Sequence, residues 1–328
     1  MKRLCQYTKD GEFVRSYDSI SEAAQEMDCD ESTIRKGMYK GYTPRGYIWK
    51  LSDIQERGQP MPLEKPSSSP VRILLLDIET APIIASVWSL WKQNINPVQV
   101  ESDWFCLTWS AKWLFDTKIS SDKLTPEEVG NEDDGRIMKE IWELVNEADI
   151  VITHNGDRFD IPRLNTRFLT HQFPPPSPYQ SIDTLKAVKR SFAFSSNKLD
   201  YINEKLHLNG KMAHQGFELW RSCLKGDTAA LRKMEEYNRN DVSILEELYL
   251  EIRPWIKGHP NVGIYLDTSE SVCPICGSDK ITKGEHRYYT SVSVFETFRC
   301  DECTAVGRFR STIVSLEKRK KLTVGLAR

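Results

Sequence analysis

The sequence lacks any run of about 18 or more apolar residues, the length that a membrane-spanning helix requires. Its first residues, Met1 to Gln6, run directly into polar sequence without the apolar stretch of a secretory signal peptide. It also lacks a basic excess, since 45 Lys and Arg stand against 47 Asp and Glu. We therefore expect no membrane partner, a cytoplasmic location in a bacterial or phage-infected host cell, and nucleic-acid contacts only through local patches.

Cysteine is scarce, and its eight residues fall into two groups. Four stand singly along the chain: Cys5, Cys29, Cys106 and Cys223. Four form two Cys-x-x-Cys pairs near the C-terminus: Cys273, Cys276, Cys300 and Cys303. Thiolates at this spacing can hold one tetrahedral Zn²⁺, and four protein ligands indicate a structural ion. The alternative, two disulfides, is disfavoured in a reducing cytosol. The spacing resembles a zinc ribbon and predicts buried single thiols elsewhere.

Composition divides the chain into three units. Residues 51–70 concentrate Pro, Ser and Gly without periodicity, as linkers do. A second break falls near Gly258, after a long helical pattern. The predicted order is a DNA-binding module (1–50), a linker (51–70), the main domain (71–258), a zinc ribbon (265–316) and a basic tail (317–328).

The front module has the pattern of a hairpin followed by two short helices. Asp10-Gly11 separates the runs 4–7 and 13–17, and Ser19 is available to cap a helix from Ile20. After a turn, a second helix begins near Ser32, which makes a helix-turn-helix pattern. The module resembles the helix-turn-helix units attached to phage and homing nucleases. The resemblance implies DNA contacts from the second helix: Ser32, Arg35 and Lys36. A module that packs on itself and binds nothing is the alternative.

The middle of the chain alternates apolar strands with amphipathic helices, which predicts an α/β domain with a mixed sheet. The strands are predicted at residues 71–78, 105–114 and 149–153. The helices are predicted at residues 133–148, 158–171 and 228–256.

The candidate catalytic residues begin at a strand that ends in two acids. The apolar run Ile73–Leu76 leads into Asp77-Ile78-Glu79. Strand side chains alternate between faces, so Asp77 and Glu79 project to the same side. Two neighbouring carboxylates need cations to compensate them if they are buried. Taken alone, the pair is also compatible with a solvated strand end.

Two further acids follow later in the chain. His154-Asn155-Gly156 forms a turn after an apolar strand, and Asp160 then falls in the first turn of a helix. Tyr237 and Asp241 are four residues apart in a helical segment and share one face. Each has an ordinary alternative, since a helix start favours an acid and surface Tyr and Asp are common.

Taken in order, these three segments closely resemble the motifs of the four-carboxylate, tyrosine-type (DEDDy) 3′-to-5′ exonucleases. This branch of the ribonuclease H-like superfamily includes polymerase proofreading domains. The resemblance covers residues 71–255 and implies an α/β fold with a ribonuclease H-like mixed sheet flanked by helices. It implies that Asp77, Glu79, Asp160 and Asp241 hold two Mg²⁺ or Mn²⁺ ions while Tyr237 orients the attacking water. The product would be a nucleoside 5′-monophosphate.

Neighbours of the acids are candidates for substrate contact. Thr80 and Asn155 flank the acids and are predicted to touch the terminal nucleotide, although such residues often cap local backbone instead. Asp183 follows a further strand and is predicted to cap backbone outside the metal site. Basic and aromatic residues between the two cysteine pairs favour a nucleic-acid contact by the zinc ribbon, with a protein partner as the alternative.

The sequence as a whole predicts a metal-dependent 3′-to-5′ exonuclease acting on DNA, with single-stranded or frayed 3′ ends as substrate. An RNA exonuclease is the nearest alternative, because tyrosine-type relatives act on both polymers. The helix-turn-helix favours DNA, since a helix does not enter the narrow major groove of A-form RNA. A DNA-binding regulator with an inactive nuclease domain is the other alternative.

Overall fold

The computed structural model describes residues 3–9, 13–40, 46–52, 71–208 and 216–326. The chain forms two compact units, residues 1–62 and 63–328. Most of the predicted linker, residues 53–70, lies outside the described residues. Among the helices in the described ranges, none has the length and apolar character needed to cross a membrane.

The first unit consists of a small sheet and a pair of helices: β1 (Arg3–Tyr7), β2 (Phe13–Tyr17), α1 (Ile20–Glu26), α2 (Glu31–Lys40) and β3 (Ile48–Ser52). The strand order is β2-β1-β3, and both pairings are antiparallel. The predicted hairpin and helices are confirmed. The sequence did not indicate β3, because its partner strand β1 lies far away in the chain. Strand β3 ends at Ser52, two residues beyond the predicted end of the module at residue 50.

A single apolar cluster holds the first unit together: Leu4, Tyr17, Ala23, Ala24, Ile34 and Trp49. The Ser19 side chain accepts a hydrogen bond from the Glu22 N–H at 3.0 Å and caps α1, as predicted. Ile34 is completely buried, so α2 is fixed against the sheet by one side while its other side faces solvent. This packing holds α2 in place and leaves its other side exposed.

A five-stranded mixed sheet forms the centre of the second unit: β4 (Ile73–Thr80), β7 (Cys106–Trp113), β8 (Ile119–Lys123), β9 (Ile150–Thr153) and β10 (Gln180–Asp183). The strand order is β10-β9-β4-β7-β8, with β4 parallel to β9 and antiparallel to β7. A small hairpin lies between β4 and β7: β5 (Ile84–Ala85) and β6 (Val100–Ser102). The central position of β4 in the sheet buries its apolar run, and Asp77 and Glu79 follow this run near the C-terminal end of the strand.

Helices accompany this sheet: α3 (Pro126–Gly130), α4 (Gly135–Glu147), α5 (Asp160–Thr170), α6 (Thr184–Ser191), α7 (Leu199–Lys205), α8 (Phe217–Leu224) and α9 (Thr228–Ile252). The long helix α9 packs along β4, and its Leu245 and Leu248 share one buried cluster with Ile73 and Leu75. Asp77 and Glu79 have the same parity along β4 as these two strand residues, so they point toward the same helix. This packing determines where the acids meet.

The C-terminal part of the second unit is an antiparallel sheet with a short helix: β11 (Ile281–Tyr289), β12 (Val294–Cys300), β13 (Val306–Thr312) and α10 (Leu316–Lys321). The order is β11-β12-β13. The basic residues expected in a simple tail instead form α10, whose N-terminus is capped by Ser315. The mixed α/β class and the two small flanking modules agree with the sequence prediction.

Candidate active site

Three carboxylates converge at the end of the central strand. One ligand oxygen from each of Asp77, Glu79 and Asp241 lies within 4.8 Å of the other two. Asp77 and Glu79 are half-buried at the end of β4, and Asp241 is buried on the face of α9 that packs against the strand. Like charges this close repel, and a divalent cation bound by oxygen ligands removes the repulsion. The arrangement therefore fits a metal site.

Asp160 reaches the same strand through the backbone. Its carboxyl accepts a hydrogen bond from the N–H of Ile78, the residue between Asp77 and Glu79, at 3.2 Å. The side chain is only 2% exposed at the start of α5, where the sequence predicted it. Asp160 does not belong to the group of three whose oxygens lie within 4.8 Å. It adjoins the group as a fourth, deeply buried acid.

Helix α9 supplies two more polar groups beside Asp241. Tyr237 is 5% exposed and Asn238 is fully buried. The Asn238 amide donates a hydrogen bond of 2.6 Å to Asp77. Sequence reasoning missed Asn238, although it lies three residues before Asp241 and next to Tyr237, so the helical period places it on the same face. Its hydrogen bond fixes the rotation of the Asp77 carboxylate.

In the turn after β9, His154 is held by hydrogen bonds, and Asn155 and Gly156 have restricted backbone conformations or surroundings. Both ring nitrogens of His154 are engaged, one by Thr184 at 2.9 Å and the other by the Asn197 carbonyl at 3.0 Å. Asn155 has a left-handed backbone with φ of 72°. A Cβ on Gly156 would lie 2.0 Å from the Thr153 hydroxyl, so only glycine fits there. The turn fixes the entry into α5 and hence Asp160.

Asp183 serves the backbone, as predicted. Its carboxyl accepts hydrogen bonds from the N–H groups of Leu185 at 3.0 Å and Lys186 at 3.3 Å and caps α6. It also accepts from the Asn155 N–H at 2.9 Å. The Asn155 carbonyl also accepts from the N–H groups of Arg158 and Phe159, both at 3.1 Å. The predicted contact of Asn155 with a nucleotide stays a prediction.

An aromatic cavity of about 410 Å³ adjoins the acid-bearing strand end. Its lining includes Thr80, Ile83, Trp104, Arg163, Phe217 and Trp220. Thr80 lines the cavity and directly follows Glu79 on β4, so the cavity is adjacent to the carboxylate cluster. The Arg163 guanidinium lies 5.2 Å from the Trp104 ring centre. The sequence predicted a nucleotide contact for Thr80 but did not indicate the aromatic residues: Trp104 precedes β7, whereas Phe217 and Trp220 lie on α8.

Comparisons with known proteins agree with this arrangement. Residues 120–253 match the RNase H superfamily, and residues 4–36 match the NUMOD1 domain. The chain contains a ribonuclease H-like domain. In a comparison of structures, the family B DNA polymerase from the hyperthermophilic archaeon Pyrobaculum calidifontis is similar to this chain, with 14% sequence identity and a TM-score of 0.42. The match covers 90% of this chain and 44% of the polymerase chain. The match thus spans less than half of that polymerase. No curated protein matches the chain.

A ribonuclease H-like domain supports a nuclease, and the nuclease domain together with the NUMOD1 domain implies nucleic-acid binding. In the NUMOD1 domain, Ser32, Arg35 and Lys36 are exposed on α2, as a DNA-contacting role requires. Arg35 also forms an ion pair of 3.5 Å with Glu31, one turn earlier on the helix. The exposed face of α2 is therefore accessible to a ligand and only partly neutralised.

The predicted zinc ligands come together beyond the ribonuclease H-like domain. The four sulfur atoms of the two Cys-x-x-Cys pairs lie within 4.8 Å of one another. The Cys273 and Cys303 sulfurs are 3.5 Å apart and those of Cys276 and Cys300 are 3.6 Å apart, whereas a disulfide bond is about 2.05 Å long. The disulfide alternative is therefore wrong, and the cluster fits a metal site. Of the single cysteines, only Cys29 is half-buried rather than buried.

The basic residues of the ribbon are partly compensated by acids. Lys280 pairs with Glu302, and Lys283 pairs with Glu296 at 2.6 Å. The guanidinium of Arg308 lies over the Phe295 ring at 4.0 Å. The local positive charge is therefore weaker than the sequence suggests.

Asp160 makes the stability of the metal-free protein depend on pH in a defined direction. Burial raises the pKa of this carboxyl from its usual 3.8 to about 7. Between these values the folded state keeps a proton that the unfolded state has released, so the stabilising contribution is lost as pH rises through about 7. We expect Asp160→Asn, which stays neutral, to gain stability relative to wild type over this range. Thermal unfolding of both proteins in chelator at stepped pH measures it, and a pH-independent difference would contradict the assignment.

Proposed function

We propose that this chain is a metal-dependent 3′-to-5′ exonuclease that hydrolyses DNA to nucleoside 5′-monophosphates. The proposal rests on the convergence of Asp77, Glu79 and Asp241 within 4.8 Å at the end of the central strand β4. Asp160, tied to the same strand, supplies the fourth acid. The sequence resemblance adds the direction of cleavage, and the cavity beside Thr80 offers a place for the last nucleotide.

Two divalent cations, if bound, would supply activation of water and stabilisation of the leaving oxygen. Asp77, Glu79, Asp160 and Asp241 would hold them, with Mg²⁺ or Mn²⁺ as the ions that oxygen ligands prefer. The donor set fits, because it consists of carboxylates whose burial is costly without compensating charge. The four-cysteine cluster would hold one Zn²⁺, which thiolate ligands prefer.

The chain's own polar groups position the reactants. A phenol has an unperturbed pKa of about 10 and is a poor base, so Tyr237 orients the water through a hydrogen bond. Asn238 holds the Asp77 carboxylate in one rotation by its 2.6 Å hydrogen bond. Such orientation keeps the reacting atoms aligned for attack on the phosphorus. Thr80, at the start of the cavity, contacts the terminal nucleotide.

The flanking modules favour DNA as the substrate. The second helix of the NUMOD1 domain exposes Ser32, Arg35 and Lys36, and the major groove of B-form DNA admits such a helix. The zinc ribbon exposes Tyr288 and Tyr289, which can stack on unpaired bases. An RNA exonuclease is the alternative activity at the same site, and a protein partner is the alternative occupant of the ribbon.

The deciding experiment compares 5′-labelled single-stranded DNA, duplex DNA and RNA, each with Mg²⁺, Mn²⁺ or EDTA. Wild type is tested beside Asp160→Ala and beside Asp267→Asn, a control at an exposed acid distant from the four carboxylates in sequence. We expect metal-dependent shortening from the 3′ end, lost in Asp160→Ala and kept in the control. If metal-loaded wild type leaves every substrate intact, the chain is instead a DNA-binding regulator with an inactive nuclease domain.

A further inference from the structure

The segment between β4 and β7, residues 81–105, leaves the domain and returns beside the proposed active site. The Ala81 N–H donates to the Phe105 carbonyl at 2.8 Å, which pins the two ends of the segment together. Near these ends, Ile83 and Trp104 line the aromatic cavity together with Thr80. Both ends of the segment therefore adjoin the cavity that is proposed to hold the terminal nucleotide.

Large apolar side chains of this segment point into solvent. Trp88 is 95% exposed, Leu90 is 85% exposed and Trp91 is 82% exposed. Elsewhere in the same unit, Trp142 is 1% exposed and Trp109 is 3% exposed, so the interior of this unit accommodates indoles. Exposed apolar groups of this size mark a surface that binds something.

Polar contacts hold the segment in this conformation. Ser86 and Gln99 join its two arms, with the Ser86 N–H donating to the Gln99 carbonyl at 2.9 Å and the Gln99 amide donating to the Ser86 carbonyl at 2.8 Å. Asn96 and Gln99 form a reciprocal capping box at a turn of 3-10 helix. These hydrogen bonds order the two arms of the segment, and the indoles of Trp88 and Trp91 remain exposed to solvent.

We propose that Trp88 and Trp91 form a stacking platform for unpaired bases of the single-stranded nucleic acid whose 3′ end enters the cavity. The proposal rests on the exonuclease function above and extends it to the nucleotides upstream of the cleaved one. Every base has a π-face, so aromatic stacking binds a strand without regard to sequence. Lys92, exposed next to Trp91, provides a positive charge for the backbone phosphate.

The chemistry of the segment favours a strand over a protein or a second copy. Hydroxyl, amide and ammonium groups flank the indoles at Ser89, Lys92, Gln93 and Asn94, and the segment's two acids, Glu101 and Asp103, lie on its returning arm. The core of a protein interface is instead apolar and poor in charge. These groups can take up phosphate oxygens and base edges. The platform also requires bases that are not paired, so the preferred substrate is single-stranded beyond its last nucleotide.

The test uses the double substitution Trp88→Ala/Trp91→Ala in the full chain. Its matched control is Leu169→Ala/Ile264→Ala, at residues that are 78% and 75% exposed outside the segment. The kcat/KM ratio is measured for oligothymidylates from a dinucleotide up to about 16 nucleotides, the upper size of a single-strand binding fold. We expect wild type and control to gain efficiency with length, and the platform variant to lose about tenfold or more of that gain through KM.

Direct binding separates this proposal from the exonuclease proposal. Fluorescence anisotropy measures the affinity of Asp160→Ala for a labelled oligothymidylate and its duplex, with and without the two tryptophan substitutions. We expect the substitutions to weaken single-strand binding about tenfold or more, and Trp88→Phe/Trp91→Phe to restore most of it. An exonuclease inactive in every assay would still give this binding result.

Several outcomes would overturn the platform. One is equal length dependence in the wild type and the alanine variant. Another is an equal loss on dinucleotide and long strand, which means a distorted active site. A third is loss of self-association by light scattering with unchanged DNA affinity, which means that a second copy covers the segment.

Discussion

Replacing Asp241 by asparagine is expected to lower kcat about a thousandfold. Its oxygen lies within 4.8 Å of those of Asp77 and Glu79, so it is one of the three clustered carboxylates that fit a metal site. An amide of similar shape cannot supply the negative charge that a divalent cation needs. Metal-assisted stabilisation amounts to several kcal/mol, and about 1.4 kcal/mol corresponds to a factor of ten in rate.

The same substitution is expected to stabilise the metal-free protein. Three clustered carboxylates repel one another, and removing one charge relieves the repulsion. Wild type should gain melting temperature when Mg²⁺ is added, because the ion binds only the folded state, whereas Asp241→Asn should gain little. Scanning calorimetry with EDTA and with Mg²⁺, run beside steady-state kinetics, measures both effects.

The matched control for Asp241→Asn is Asp267→Asn, which makes the same chemical change at an exposed position of the same unit. It should keep both the rate and the response to Mg²⁺. Full activity of Asp241→Asn, or an undiminished Mg²⁺ response in that variant, would show that Asp241 does not hold metal.

Removing the zinc is expected to unfold the ribbon. Its buried cluster consists mainly of the ligands themselves, with Cys273, Cys300 and Cys303 joined by Ala305. The ribbon also buries Phe295 and Phe298, but a core of this size is too small to stabilise three strands alone. A structural Zn²⁺ contributes an apparent ~10–16 kcal/mol in small zinc domains. Cys303→Ser should therefore lose the ion and expose β11–β13 to protease, while the ribonuclease H-like core remains folded.

Metal analysis, limited proteolysis and circular dichroism check this result. Wild type should contain one Zn²⁺ per chain, and Cys29→Ser should keep it, because Cys29 belongs to the first unit and is not one of the four clustered cysteines. A Cys303→Ser protein that retains one Zn²⁺ and resists protease at residues 281–312 would show that the cluster is not a structural zinc site.

The sequence predicted the elements whose signals are local. The apolar run before Asp77 and the period of α9 placed Asp77, Glu79 and Asp241 correctly, because strand alternation and helical period fix side-chain direction. Strand β8 was missed, since its sequence Ile-Ser-Ser-Asp-Lys at residues 119–123 carries a single apolar residue. It is a strand because β7 offers it an edge, which no local pattern records.

The candidate site was predictable only where a motif links its members. The four acids and Tyr237 occur in ordered motifs, so their grouping followed from resemblance. The cavity's Trp104 lies far in sequence from Phe217 and Trp220 of α8, and only the fold brings Trp104 to that helix. Asn238 carried a usable signal, its position on the face of α9 that bears Asp241, yet amides at that spacing are common.

Helix α9 also sets the spacing between the carboxylate cluster and the cysteine cluster. It carries Asp241 in its middle and ends at Ile252, after which His259 hydrogen-bonds the Tyr249 hydroxyl at 2.9 Å and the Val262 N–H donates to the Pro274 carbonyl of the ribbon at 2.8 Å. Each residue of a helix adds about 1.5 Å and about 100° of rotation. One inserted residue beyond Asp241 would therefore swing the ribbon to another side of the domain. The spacing between Asp241 and the cysteine-bearing sheet therefore changes only in steps of one helical residue.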